Sequence, residues 1–174
     1  KSAQKHNEVN GEIGAIKGMA YILGTLEGNI DSATIYLERG QTICAETGSP
    51  ELCLEVYEIV AQTYSSQGQL ELADKNYQVS LQYAEQLGDD YTLMQSLMVN
   101  ANSATSLKEY GRAENFFQRF EMMFEENKFY DLAQKVYKGW ARMETSRNNF
   151  QLANEFLMKQ VAAKDTIEER INKS

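Results

Sequence analysis

One spacing constrains this chain more than any other feature. Ala33, Ala73, Ala113 and Ala153 stand 40 residues apart, and each is flanked in the same way. Ile30, Leu70, Tyr110 or Phe150 lies three residues before it, and Leu37, Tyr77, Phe117 or Leu157 lies four residues after it. Those offsets fall on one face of an α-helix, so each copy describes a helix that presents a small residue between two large ones. A small residue suits a close helix crossing, and its large neighbours fill the space around that crossing. Four copies at a fixed interval make the chain a repeat array, in which each unit buries its apolar face against its neighbours.

The punctuation between copies supports helices and nothing else. The chain has a single Pro, and Gly recurs at regular intervals. At Gly48-Ser49-Pro50-Glu51, Gly suits the left-handed position after a helix, Ser can cap the next one, and Pro fits its first turn. Gly88-Asp89-Asp90 repeats the signal one period later, while Gly28 and Gly68 mark a shorter turn inside a repeat. Apolar residues between these marks keep helical spacing, as in Leu54, Tyr57, Val60, Ala61 and Tyr64. The spacing predicts helices at about 8–27, 31–46, 50–66, 70–86, 90–107, 110–126, 129–146 and 150–171, forming four hairpins without a sheet.

Charge narrows the partners. Seventeen Lys and Arg against 25 Asp and Glu leave a net charge of −8, which argues against a binder of phosphate backbones, since those need a basic footprint. Nucleic acid is not an expected partner. No apolar run approaches the roughly 18 residues needed to span a bilayer, so membrane insertion is not expected either. The stretch from Glu12 to Leu26 is apolar on nearly every side, however, and an end helix of a repeat array needs a polar outer face. That predicts a fragment of a longer protein.

At this point the residues resemble the tetratricopeptide repeat (TPR). Its W-x2-L-G-x2-Y and A-x3-F pattern corresponds to Tyr57-x2-Val60-Ala61-x2-Tyr64 with Ala73-x3-Tyr77, and again to Ala113-x3-Phe117. The resemblance covers about residues 8–160. It departs from the pattern in its period of 40 rather than about 34, which overlaps the HEAT range and leaves a HEAT array as the lesser alternative, in lacking the closing Pro, and in carrying Lys108 and Asn148 where earlier repeats have Gly. It implies an all-α, right-handed α-solenoid of four antiparallel hairpins within residues 1–174, with repeats at about 8–47, 48–87, 88–127 and 128–172.

The same resemblance implies a non-enzymatic module that holds a protein or peptide segment in a concave groove lined by the first helix of each hairpin. Counting back from each marker Ala places that face on Ala15, Gly18, Met19, Ile22 and Leu26, then on Glu55, Glu58, Ile59, Gln62 and Ser66. In the third repeat it falls on Gln95, Met98, Val99, Asn102 and Ser106, and in the fourth on Lys135, Lys138, Gly139, Arg142 and Ser146. Of these, Glu55, Glu58, Gln62, Met98, Asn102, Lys135, Lys138 and Arg142 are the candidate peptide-binding residues. Residues 48–66 hold three acids and no bases, and residues 128–147 hold five bases and two acids. With the groove that the resemblance implies, this composition gives a graded groove in which Lys135, Lys138 and Arg142 take an acidic segment, beside the plainer reading of solvated charged faces. The family's clamp for a carboxyl-terminal peptide is matched only at Asn102 and is not expected here.

The remaining chemistry-bearing residues have plainer readings. His6 is the only histidine, too few for a His/Cys metal site, and is expected to be an exposed residue of the leader. Gly11, Gly14 and Gly18 do not follow a strand, so close helix contact is expected rather than a phosphate cradle. Met94, Met98, Met122 and Met123 are expected to fill core space. Cys44 and Cys53 face each other across a turn, where Ala84 with Leu93 and Phe124 with Ala133 stand in later copies. A buried thiol pair is the expected arrangement, and the spacing also permits a disulfide. No nucleophile–base pair marks an enzyme, and no cofactor or metal is expected.

The final segment, V-A-A-K-D-T-I-E-E-R-I-N-K-S, extends the last helix with Lys164/Glu168 and Glu169/Lys173 at i,i+4. Its K-D-T-I ending resembles extracytoplasmic TPR sensor regions of Bacteroidetes-type signalling proteins. That resemblance implies a sensor or interaction region of a bacterial signal-transduction protein and favours a place outside the cytoplasm, with a cytoplasmic one left open. A self-associating structural scaffold, a homo-oligomer and a small-molecule receptor stay open as alternatives.

Overall fold

The structure, a computed structural model, describes the backbone of residues 2–173 and their side chains except those of residues 2–7, 10 and 25. The described residues form helices and no strand. Helix α1 (Ser2–Ala20) runs into a π-helical turn (Tyr21–Leu26), and α2 (Ile30–Thr47), α3 (Pro50–Ser66) and α4 (Leu70–Leu87) follow. Then come α5 (Asp90–Ser106), α6 (Tyr110–Asn127), α7 (Tyr130–Ser146) and α8 (Phe150–Asn172). The chain divides into two compact units, Lys1–Gly88 and Asp89–Ser174, each holding two of the hairpins. The expectation that His6 is exposed falls outside the described side chains.

Turns recur as strictly as side chains. Gly28, Gly68, Lys108 and Asn148 have φ of 68°, 72°, 61° and 60°, the left-handed conformation that ends a helix. Gly48, Gly88 and Lys128 do the same at the other end of each repeat, with φ of 60°, 68° and 53°. Asn29, Ser49 and Asp89 then open the next helices by accepting the N–H of Ser32, Leu52 and Thr92, as their short polar side chains allow. Inside three hairpins the turn is closed by a backbone bond five residues long, from Gln69 to Tyr64, Glu109 to Ala104 and Asn149 to Glu144. In the first hairpin, Asn29 reaches back six residues to Leu23, because the π turn adds one residue to the ladder.

All four marker alanines are buried, at 0–4% exposure, as a close crossing requires. Their large neighbours are not equally covered. Leu37 and Phe117 are buried, whereas Phe150 and Leu157 on α8 are exposed. Within the second unit α8 packs chiefly on α7, with Lys159 reaching across to pair with Glu121 of α6.

The first unit has an aliphatic core of Ile13, Ile16, Leu37, Ile43, Leu52, Val56, Ile59 and Val60. Helices α2 and α3 approach closely at Gly40, where an added Cβ would stand 3.3 Å from Val56 Cγ1. This approach brings the Cα atoms of Cys44 and Cys53 to 4.9 Å, and the two residues are joined as a disulfide rather than lying as the expected thiol pair. Both are buried, as the sequence implied. The expectation of close helix contact at Gly11, Gly14 and Gly18 fails, since a Cβ there would meet nothing within 4 Å. The tight contact belongs to Gly24 instead, against Thr63, and its carbonyl accepts the Gln67 amide.

The second unit is built on rings. Trp140 stacks on Phe156 at 4.1 Å and on Phe117 at 5.1 Å between ring centroids, and Phe124 meets Tyr130 and Tyr137 edge-on. Met94 is buried in this core, Met98 and Met123 pack against it half-buried, and Met122 is exposed. The only buried glutamate of the described residues, Glu144, ends α7, where Arg147 Nη1 lies 3.1 Å away and Asn149 Nδ2 donates to it at 3.2 Å. Lys164 pairs with Glu168 and Lys173 with Glu169 on the outer turns of α8, as the i,i+4 spacing predicts.

Candidate functional site

In the second unit, α5 and α7 are the first helices of successive hairpins and pack side by side. On α7, Lys135, Lys138 and Arg142 follow at i, i+3 and i+7 and therefore share one face. All three are exposed and line a cleft of about 530 Å³ together with Asn102, Gly139 and Leu157. Gly139 leaves room at its floor for the Asn102 amide: a Cβ there would stand 2.6 Å from Asn102 Oδ1, and that side chain would have to shift. Arg142 Nη2 donates to that same oxygen at 3.0 Å. A second cavity of about 440 Å³ shares Arg142 and continues along Thr105, Ser106, Lys108, Tyr110 and Ser146.

The sequence count of five bases in residues 128–147 overstates the free charge. Lys128 pairs with Glu125 at 2.9 Å, and Arg147 with the buried Glu144. Asp131, one of the two acids of that stretch, accepts from Tyr91 at 2.7 Å. Lys135, Lys138 and Arg142 form no ion pair among the described residues. Three uncompensated cations therefore face one cleft, where an anionic group would find charge and directed N–H donors together.

In the first unit, Glu55 and Glu58 lie half-buried on α3 and Gln62 is exposed. The expected acidic face is partly neutralised, because Lys17 of α1 lies 3.2 Å from Glu55. Burial pushes the Glu58 carboxyl above its ordinary range, with the Lys17 charge opposing and the Glu55 charge adding to the shift. Burial also lifts Tyr77 to about 12, and the charge of Glu58 contributes. Gln62 lines a cavity of about 430 Å³ with Lys17, Gly18, Tyr21, Ile59 and Ser66, whereas Glu55 and Glu58 stand outside that lining.

Of the residues singled out from sequence, the structure thus brings Asn102, Lys135, Lys138 and Arg142 into one cleft. Met98 is half-buried against the aromatic core and does not line it. Sequence reasoning missed Lys17, Tyr21, Lys108, Tyr110 and Leu157. A signal was available for Lys17, which stands one period before Tyr57 and so beside the turn that carries Glu55 and Glu58. Leu157 was read as a packing residue, but it is exposed on α8. Among the described residues no cluster of His, Cys, Asp and Glu could hold a metal ion, and no helix is long and apolar enough to cross a membrane. Compared with known proteins, the chain matches no family model and no curated sequence.

Proposed function

We propose that this chain is a non-enzymatic, TPR-like binding module whose first-helix faces hold a protein or peptide segment. In this reading the four hairpins belong to a right-handed solenoid, and α5 and α7 take an acidic stretch of the partner. The observation that carries it is the convergence of Lys135, Lys138 and Arg142, without carboxylate partners, on a cleft in a protein of net charge −8. Sequence resemblance extends the proposal to a sensor or interaction region of a bacterial signal-transduction protein. A peptide array probed with the wild-type chain and with K135E/K138E/R142E tests the binding reading. Wild type should select acid-rich peptides and the triple variant should lose them; equal selection by both chains would sink the idea.

A second reading, a self-associating scaffold, is favoured by Phe150, Leu157, Met158, Val161 and Ile171, which are exposed on α8. Sedimentation separates the two: a scaffold keeps its oligomeric state in the triple charge variant and loses it in L157E/V161E.

A further inference from the structure

Arg142 differs from its two lysine neighbours in one respect: it is held. Its Nη2 donates to Asn102 Oδ1 at 3.0 Å, and that oxygen occupies space left by the missing side chain of Gly139. Asn102 comes from α5, while Arg142 and Gly139 come from α7, so the contact ties the two walls of the cleft. A long arginine left in solvent samples many rotamers, and ordering it on binding opposes association. An arginine already fixed by one N–H keeps its other donors for a ligand.

Arg142 also belongs to both cavities on this face, which makes it the point where they join. From Lys135 to Ser146 the face runs about 16 Å at the rise of a helix. That length fits about five residues of extended peptide. The bases along it are Lys135, Lys138, Arg142 and Lys108, and Leu157 supplies one apolar contact.

We infer that Asn102 is a positioning residue that presets Arg142 to receive a carboxylate of a short acidic peptide, and that Gly139 is the residue that makes this possible. The inference rests on the acidic-segment reading above. Asn102 acts through Arg142, and Gly139 acts by leaving room for Asn102. Substitution at Gly139 therefore weakens binding without removing any charge from the cleft.

The test is fluorescence anisotropy with a labelled hexaglutamate peptide and a hexaglutamine control. Wild type should prefer hexaglutamate. N102A and G139A should each weaken it about five- to tenfold, the scale of one lost charge-assisted hydrogen bond, with unchanged circular dichroism. N102A/R142A should bind no more weakly than R142A alone, since Asn102 has no effect except through Arg142. If hexaglutamate binds, K135E/K138E abolishes it, and N102A and G139A bind like wild type, the positioning role is wrong while the acidic cleft stands. Additive losses in N102A/R142A would also overturn it, by making Asn102 a direct contact. No preference of the wild type for hexaglutamate would remove the acidic-segment reading itself and this inference with it.

Discussion

The two units carry the same 40-residue period and solve the packing between their hairpins by different chemistry. In the first, α2 meets α3 through Gly40, Val56 and the Cys44–Cys53 bond, around aliphatic side chains. In the second, α6 meets α7 where Phe124 and Ala133 stand in place of the cysteines, and a stack of Phe117, Trp140 and Phe156 fills the centre. A repeat therefore fixes where two helices cross, and leaves open whether a covalent bond, a branched aliphatic residue or a ring secures the crossing. One unit gains from restricting its unfolded chain, the other from buried ring area and oriented stacking.

The comparison breaks most readily at Trp140. Trp140→Ala opens a void within the stack and should cost about 3–5 kcal/mol. Hydrogen exchange should report that loss in residues 89–174 and leave the first unit protected; a uniform loss would show that the two cores are one cooperative system. Removing the disulfide is the converse. By loop-closure entropy a bridge across so short a segment is worth about 2–3 kcal/mol. Reduction should lower protection in residues 1–88 alone, and C44A/C53L, copied from Ala84 and Leu93, should recover part of it by small-with-large packing.

Smaller effects sharpen the backbone side of the comparison. The first unit uses Gly at every left-handed turn, whereas the second has Lys108, Lys128 and Asn148. Lys108→Gly and Lys128→Gly should each raise stability in chemical denaturation by about 1 kcal/mol, and Asn148→Gly by less, because Asn tolerates this conformation. The smallest effect is electrostatic. Glu58 has a raised folded value, so the folded state holds its proton more tightly than the unfolded one. Its contribution is therefore present below the ordinary Glu range and is lost as pH rises through the raised value. Glu58→Gln should raise the melting temperature slightly at neutral pH and flatten its fall between acidic and neutral pH; unchanged profiles would place Glu58 in solvent.

Much of this was legible in the residues. The helix boundaries came from Gly, Ser-Pro and Asp-Asp punctuation, and the observed ends lie close to those expected except at the start of α1, which begins at Ser2 rather than about residue 8 because no Gly or Pro there stops the helix. Lys108 and Asn148 looked like departures from the pattern, yet they keep the glycine conformation, since the neighbouring bonds from Glu109 and Asn149 hold the turn. What escaped the sequence depends on contacts between distant helices. The Lys17–Glu55 pair spans two hairpins, and the bond between the cysteines depends on how closely Gly40 lets α2 approach. Asn102 and Arg142 stand 40 residues apart, and only the packing of α5 on α7 makes them partners. The π turn at Tyr21–Leu26 has no residue signature beyond Gly24 and its contact with Thr63.

The left-handed positions at 28, 48, 68, 88, 108, 128 and 148 fall every 20 residues, half the interval of the alanines. The backbone thus keeps a beat twice as fast as its side chains, but alternate beats differ in their exits: a helix that opens a hairpin passes through Gln67, Leu107 or Arg147, with φ of −92°, −80° or −90°, before its left-handed residue, whereas one that closes it runs straight into Gly48, Gly88 or Lys128. Chain geometry by itself therefore tells the turn between α2 and α3 apart from the turn between α3 and α4. The small and large residues flanking each crossing then fill a spacing that the turns have already set.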